Sequence, residues 1–231
     1  MSWLQKNKQE LLHYNMTLIG GISGAYALLV RSGNFGAAET TNLIELVLDF
    51  ANQDITDMIV RVLILFIYSS SIIAAHLTAL KFPARKYTAC LTIECICVLL
   101  AGLIPVTVNP LIALYPIFAM SAFQWQTFTD ASSYNSSTIF STNNLKQALL
   151  SWTNYRINGE PQQKTRAIYF TLTLAVFHTG VLLGWFAVRM FSEKSIWITF
   201  LPFAAAFYYT APCRKTKRSA LSRPKLSAAQ E

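Results

Sequence analysis

Charge is scarce in this chain of 231 residues: Asp, Glu, Lys and Arg make up 13% of it, against about 25% in a soluble globular domain. That shortfall excludes an ordinary soluble enzyme of this length. The 53% hydrophobic content excludes disorder, which needs the reverse balance. Cysteine is scarce too. Cys90, Cys95, Cys97 and Cys213 form no C-x-x-C pair, and three of them lie in one apolar run. Neither a disulfide framework nor a zinc site is expected, and the thiols read as small buried hydrophobes. G-x-S-x-G, a Walker glycine loop and H-E-x-x-H are also missing, so the commoner hydrolytic, nucleotide-dependent and metal-dependent chemistries have no signature here. No catalytic residue, cofactor or metal ligand is assigned, and the chain does not read as an enzyme.

What is present is blocked apolar sequence. A spanning helix needs about 20 mostly apolar residues, and six stretches approach this: 14–30, about 57–80, 87–104, 108–128, 167–190 and, weakest, about 195–211. Soluble bundles alternate polar and apolar faces instead. The expected fold class is therefore all-α, a polytopic helical membrane protein of about six transmembrane helices. The membrane domain covers 1–212, and 213–231 forms a basic tail. The first run follows Lys6 and Lys8 but lacks a good cleavage site, so it reads as an uncleaved span.

Basic residues orient the spans. With the N-terminus inside, 15 of the 19 Lys and Arg fall on inner segments, 3 on outer ones, and Arg61 within the second span. Both termini are then expected to be cytoplasmic, in a bacterial inner membrane. The net charge of +8 follows from topology and needs no nucleic acid. The run from Arg214 to Lys225 suits anionic headgroups.

Two polar interruptions share a pattern: Thr40-Thr41-Asn42 before Leu43, and Ser141-Thr142-Asn143-Asn144 before Leu145. Hydroxyls and Asn ahead of a periodic apolar run form an N-cap signature. Each opens a helix too short to span, either interfacial or re-entrant. The halves 1–106 and 107–212 thus share the order span, capped helix, span, span. An odd number of spans per half requires opposite topologies, the inverted repeat of a transporter design. Helix N-termini attract anionic and polar ligands, so Thr40, Thr41, Asn42, Thr142, Asn143 and Asn144 are candidate substrate contacts, joined by Gln124 at the end of the fourth span.

The segment holding Gly20-Gly21, Ala25-Tyr26, Arg31, Gly33, Phe35 and Thr40-x-Asn42 resembles the opening of the YoaK-like family of bacterial integral membrane proteins, a domain of unknown function. Its pattern is roughly GG-x-x-DAY-x-x-L-x-RGG-x-F-x-x-x-QTGN. Ala119 to Gln124 and Thr138 to Leu145 resemble two further elements, and span order agrees along nearly the whole chain. Gly24, Glu39, Thr41, Trp125 and Asn143 depart from the family's Asp, Gln, Gly, Asn and Gly, as in a divergent member. The resemblance implies six spans and a cell-membrane location, and implies nothing about a solute.

Glu94 is the sharpest candidate for chemistry, because a carboxylate inside a span is costly and by default functional. His76, across the short 81–86 loop, falls at a similar depth, and the two are expected as a proton or ion coupling pair. Arg61 is expected to pair with Asp57 at i−4 or to snorkel. Asp130 is a candidate for the inner vestibule. Gly180 and Gly184 form a small-xxx-small face that packs within the chain or against a second copy or membrane partner. The expected function is a transporter or channel-like permease of a small polar or anionic solute. The alternative is a non-transporting protein that packs with a partner complex. The lipid bilayer is the one partner common to both.

Overall fold

The computed structural model describes residues 3–34, 39–129 and 134–210. Asp130, Cys213 and the basic run from Arg214 lie outside the described residues. Every described element is helical: α1 Trp3–Val30, α2 Glu39–Asn52, α3 Ile55–Lys81, α4 Lys86–Leu103, α5 Pro110–Ala113, α6 Tyr115–Phe128, α7 Thr142–Asn158, α8 Pro161–Phe191 and α9 Phe200–Thr210, with 3-10 turns at Pro83–Arg85 and Ser192–Thr199. The helices start and stop where local chemistry dictates. The Asp54 carboxylate accepts from the Asp57 amide and opens α3. Gly159, at φ 70°, closes α7 in the left-handed conformation that glycine adopts at least cost.

Three stretches are long and apolar enough to cross a membrane: Ile55–Lys81, Pro83–Leu103 and Pro161–Thr210. They contain the second, third and fifth expected spans, with the sixth continuing from the fifth. The other expected spans are less regular. The first lies within α1, whose opening turns are polar. The fourth is split between α5 and α6, because Asn109 caps α5 and prolines stand at the start of both helices. The sixth is a 3-10 run followed by only 11 residues of α9. The outside of the bundle is apolar: Phe66, Ile73 and Leu80 on α3 and Leu182, Phe186 and Met190 on α8 are all exposed. Water does not favour such a surface and lipid does; the molecule is built as a membrane protein.

Packing follows a regular scheme. α1 lies along α8, and α3 along α6. In the first pair Gly21 meets the backbone of Phe177 to Val181, and Gly184 meets Ile22 and Ala25, so the helices run parallel. In the second, the Tyr115 hydroxyl donates to the Val60 carbonyl (3.2 Å), again a parallel register. α2 docks on α3 and α7 on α8, while α4 packs on α6 and α9 on α1. The main core is shared by α1, α3, α4, α6 and α9.

The two glycines of α8 are used up in this seam. A Cβ on Gly180 would overlap the Leu18 carbonyl, and one on Gly184 would crowd Ala25. The surface expected there for a second copy or partner is thus covered by α1: backbones this close leave no face free.

Candidate functional site

Residues 136–139, ahead of α7, go deep into the bundle. The Thr138 carbonyl abuts Gly20, where no Cβ would fit, about 9 Å into the apolar part of α1 that begins near Tyr14, at 1.5 Å per residue. Non-helical backbone survives at such depth only when buried in protein with its polar groups satisfied. Asn144, in the first turn of α7, does much of this. Its Nδ2 donates to the carbonyls of Ser137 (2.7 Å) and Phe140 (3.0 Å), and its Oδ1 accepts from the Ser136 hydroxyl (3.0 Å) and the Ser137 amide (3.2 Å). Gln124 of α6, fully buried, donates from Nε2 to the Met16 carbonyl (3.0 Å) and the Thr138 hydroxyl (2.9 Å). Two of the predicted contact residues, Gln124 and Asn144, thus brace the same loop from opposite sides.

His13 of α1 belongs to this group, and nothing in the sequence marked it. Its Nε2 lies 3.2 Å from the Ser136 hydroxyl. Since that hydroxyl gives its proton to Asn144, the imidazole is assigned as the donor from Nε2. Its Nδ1 is then a buried acceptor without a partner among the described residues, as is Oε1 of Gln124. Tyr14 and Tyr169 pack against the imidazole with ring centroids 6.1 and 5.6 Å away.

Next to the loop opens a cavity of about 440 Å³, lined by Ile72, Trp125, Gln126, Thr129, Asn135, Ser136, Ser137 and Asn143. Asn143, another predicted contact, faces this space. Thr142 is exposed beside it, and Thr40 and Thr41 are exposed on α2. Of the first capped motif only Asn42 turns inward.

Asn42 has a different partner from Asn144. Its Oδ1 accepts from Nη1 of Arg61 (3.2 Å), and that guanidinium also meets Glu45 (2.6 Å) and Asp49 (2.7 Å). Asp57, the expected partner of Arg61, is replaced by these two carboxylates of α2, because α2 lies alongside the face of α3 that carries Arg61. At the start of α2, the Asn42 amide reaches Glu39 (3.5 Å). Burial pushes the Glu39 carboxyl above its ordinary range, and the Asn42 hydrogen bond opposes the shift. On the equivalent side of α7, Nη2 of Arg166 in α8 donates to Gln147 (2.6 Å).

Glu94 is fully buried in α4, where the Cys90 thiol donates to Oε1 (2.9 Å) and Oε2 has no partner among the described residues. No ion pair reaches it among the described residues. His76 is exposed on α3, so the structure does not bring the two together: one faces the core and the other faces outward. His178 is also exposed, bonded only to the Leu174 carbonyl of its own helix (2.8 Å). Arg31, one residue past the first expected span and one of the three basic residues placed on outer segments and span ends, is buried. It caps the end of α4 by donating to the carbonyls of Ile104 (2.7 Å) and Pro105 (3.0 Å) and to the Tyr26 hydroxyl (3.0 Å). The carbonyls at a helix C-terminus lack intrahelical donors and favour a cation.

Residues 12–209 match the family model described as protein of unknown function, DUF1275. No curated protein and no solved structure matches the chain. The match covers most of the chain, and the chain belongs to that family.

Proposed function

We propose that this DUF1275 protein is a small transporter or channel-like permease of a polar or anionic solute. In this reading it has six spans in two inverted halves, both termini cytoplasmic, in a bacterial inner membrane, and is a divergent relative of the YoaK-like proteins. The observation that carries the reading is the exchange of partners between halves. The first long helix of each half packs on the second long helix of the other, α1 with α8 and α6 with α3. The third elements exchange in the same way, α4 with α6 and α9 with α1. The short helices repeat even in side chains: Asn42 and Glu45 precede Arg61 as Asn144 and Gln147 precede Arg166. Such pseudo-symmetry underlies alternating access in transporters, with solute held where broken helices begin near mid-membrane. The burial of Thr138 and Asn144 inside the bundle supports that placement. Glu94, buried without a cation among the described residues, is the residue chosen for proton or ion coupling.

Reconstitution in liposomes tests the reading. A solute should cross, and Glu94→Gln should abolish the effect of an imposed pH gradient on its flux. Absence of flux for every solute tried, together with an unchanged phenotype of Glu94→Gln cells, would sink it. Reporter fusions at Thr107 and after residue 212 should report outside and inside respectively; an external tail overturns the inverted halves. The alternative, an interaction protein without transport, draws on the exposed apolar face of α2 at Leu43, Ile44, Val47, Leu48 and Phe50. One stoichiometric partner lost on Leu48→Glu would favour it.

A further inference from the structure

The cavity beside the α6–α7 loop has a composition that selects its occupant. Among its described lining residues there is no Lys, Arg, Asp or Glu. Three carboxamides, Gln126, Asn135 and Asn143, border it, and none makes a side-chain hydrogen bond within the described residues. Ser137 adds a hydroxyl that accepts from the Ile139 and Phe140 amides and keeps its own proton to donate. Trp125 supplies a partly exposed indole, braced edge-on against Phe140 with centroids 5.3 Å apart. A volume of about 440 Å³ lies within the usual range for small-molecule sites, roughly 300–1,000 Å³.

Each ligand class meets this lining differently. An anion would lack the cationic or charge-assisted donors that hold carboxylates and phosphates. A metal ion would find no carboxylate, thiolate or imidazole. An apolar molecule would strip water from three amides and give nothing back. A polyhydroxylated neutral compound suits every group present. Its hydroxyls donate and accept, as carboxamides do, and its C–H face packs on an indole, whose π face is electron-rich. We propose that this cavity binds a neutral sugar or polyol through the Trp125 ring and the amides of Gln126, Asn135 and Asn143. The proposal rests on the transporter reading and narrows its solute from polar or anionic to neutral and hydroxylated. A free solute and the polyol headgroup of a lipid share this chemistry.

The test is calorimetric titration of the full chain in phosphatidylcholine nanodiscs, which present no polyol headgroup. The titrants are glucose, inositol and glycerol, with sodium acetate and phosphate as the anionic set. A second arm incorporates phosphatidylglycerol. Saturable binding is expected from at least one sugar or polyol and from neither anion. Trp125→Ala and Asn143→Ala should each weaken it about tenfold, the worth of one stacking face or one set of amide bonds, while Trp125→Phe retains most of it. Both side chains are exposed, so the melting temperatures should stay unchanged and show that each variant folds. A titrant affinity lowered in the second arm, where phosphatidylglycerol competes with its own diol, supports the same site with a headgroup as the source. No saturable heat in either arm, heat insensitive to both alanine variants, or a preference for an anion overturns the proposal. Calorimetry reads occupancy and not flux. A bound sugar that never crosses a liposome membrane would therefore sink the transporter reading and leave this site, and flux of another solute without sugar binding would do the reverse.

Discussion

Arg61 and Arg166 each hold a short helix against a long one, with different partners. Arg61 clamps α2 to α3 through two carboxylates and an amide oxygen. Arg166 reaches one neutral amide, Gln147, and lies over the rings of Tyr134 and Phe170, 5.9 and 5.8 Å from their centroids. The two Asn residues differ in a complementary way. Asn42 is tied to the arginine, whereas Asn144 is tied to the backbone of its own loop. One region fixes its short helix by charge and the other by a hydrogen-bonded turn. The charged clamp depends on complete pairing, because a carboxylate left alone in a low dielectric is expensive. The turn fixes its backbone without charge, and the neutral cavity opens beside it.

The largest expected effect tests the frame beneath that comparison. Gly180→Leu should force α8 away from α1 and cost more than about 3 kcal/mol, at or beyond the upper range for overpacking; thermal unfolding in detergent reads it, and wild-type melting would mean the seam is looser than described. Next comes Arg61→Ala, with a loss of about 2 kcal/mol, below the range for fully buried pairs because Glu45 is 37% exposed. Arg166→Ala should cost about 1.5 kcal/mol, since it removes one charge-assisted hydrogen bond and the contacts with two rings but strands no carboxylate. Equal losses would erase the distinction between the clamps. Gln147→Glu gives Arg166 an ionic partner like that of Arg61, and should raise stability by about 0.5 kcal/mol in low salt, fading as salt rises.

The smallest effect is a pH dependence. Glu39 has its carboxyl raised by burial, so the folded protein binds this proton more readily than the unfolded chain. Its contribution to stability is full below the ordinary carboxylate range and declines as pH rises through the raised folded value. Melting followed from about pH 4 to 8 should show a shallow decline that Glu39→Gln removes. Changing Ser141, at the corresponding start of α7, should leave the profile alone, since no carboxylate stands there.

Much of this was legible in the chain. Hydropathy located α3 and α4 to within two residues and the apolar body of α8, which begins six residues earlier at Pro161, because a long apolar run with few charges has one stable conformation in lipid. The two polar interruptions found α2 and α7, but not as caps: α2 already begins at Glu39, and Ser141 makes no side-chain cap hydrogen bond to α7. Glu94 stood out as a lone acid in an apolar run, and it is fully buried. The misses involve residues whose role depends on a distant partner. Arg31 read as a charge at a span end until the end of α4 was placed against it. His13 lies in a stretch that looks interfacial, yet Ser136, distant in sequence, buries it. The His76–Glu94 pair failed because depth along two helices says nothing of the direction each side chain faces.

Composition and periodicity alone determined that the chain is helical, that its exterior is apolar and that most of its few charges lie outside the apolar runs. These follow from the cost of an unpaired backbone or a bare charge in hydrocarbon, which applies locally to each residue. Only the tertiary structure decided which glycines were consumed in the α1–α8 seam, which of two capped motifs met an arginine and which met its own loop, and where a neutral cavity remained. Those outcomes depend on how separate helices meet, whether 19 positions apart, as Asn42 and Arg61, or more than 100, as Gln124 with the Met16 carbonyl and His13 with Ser136.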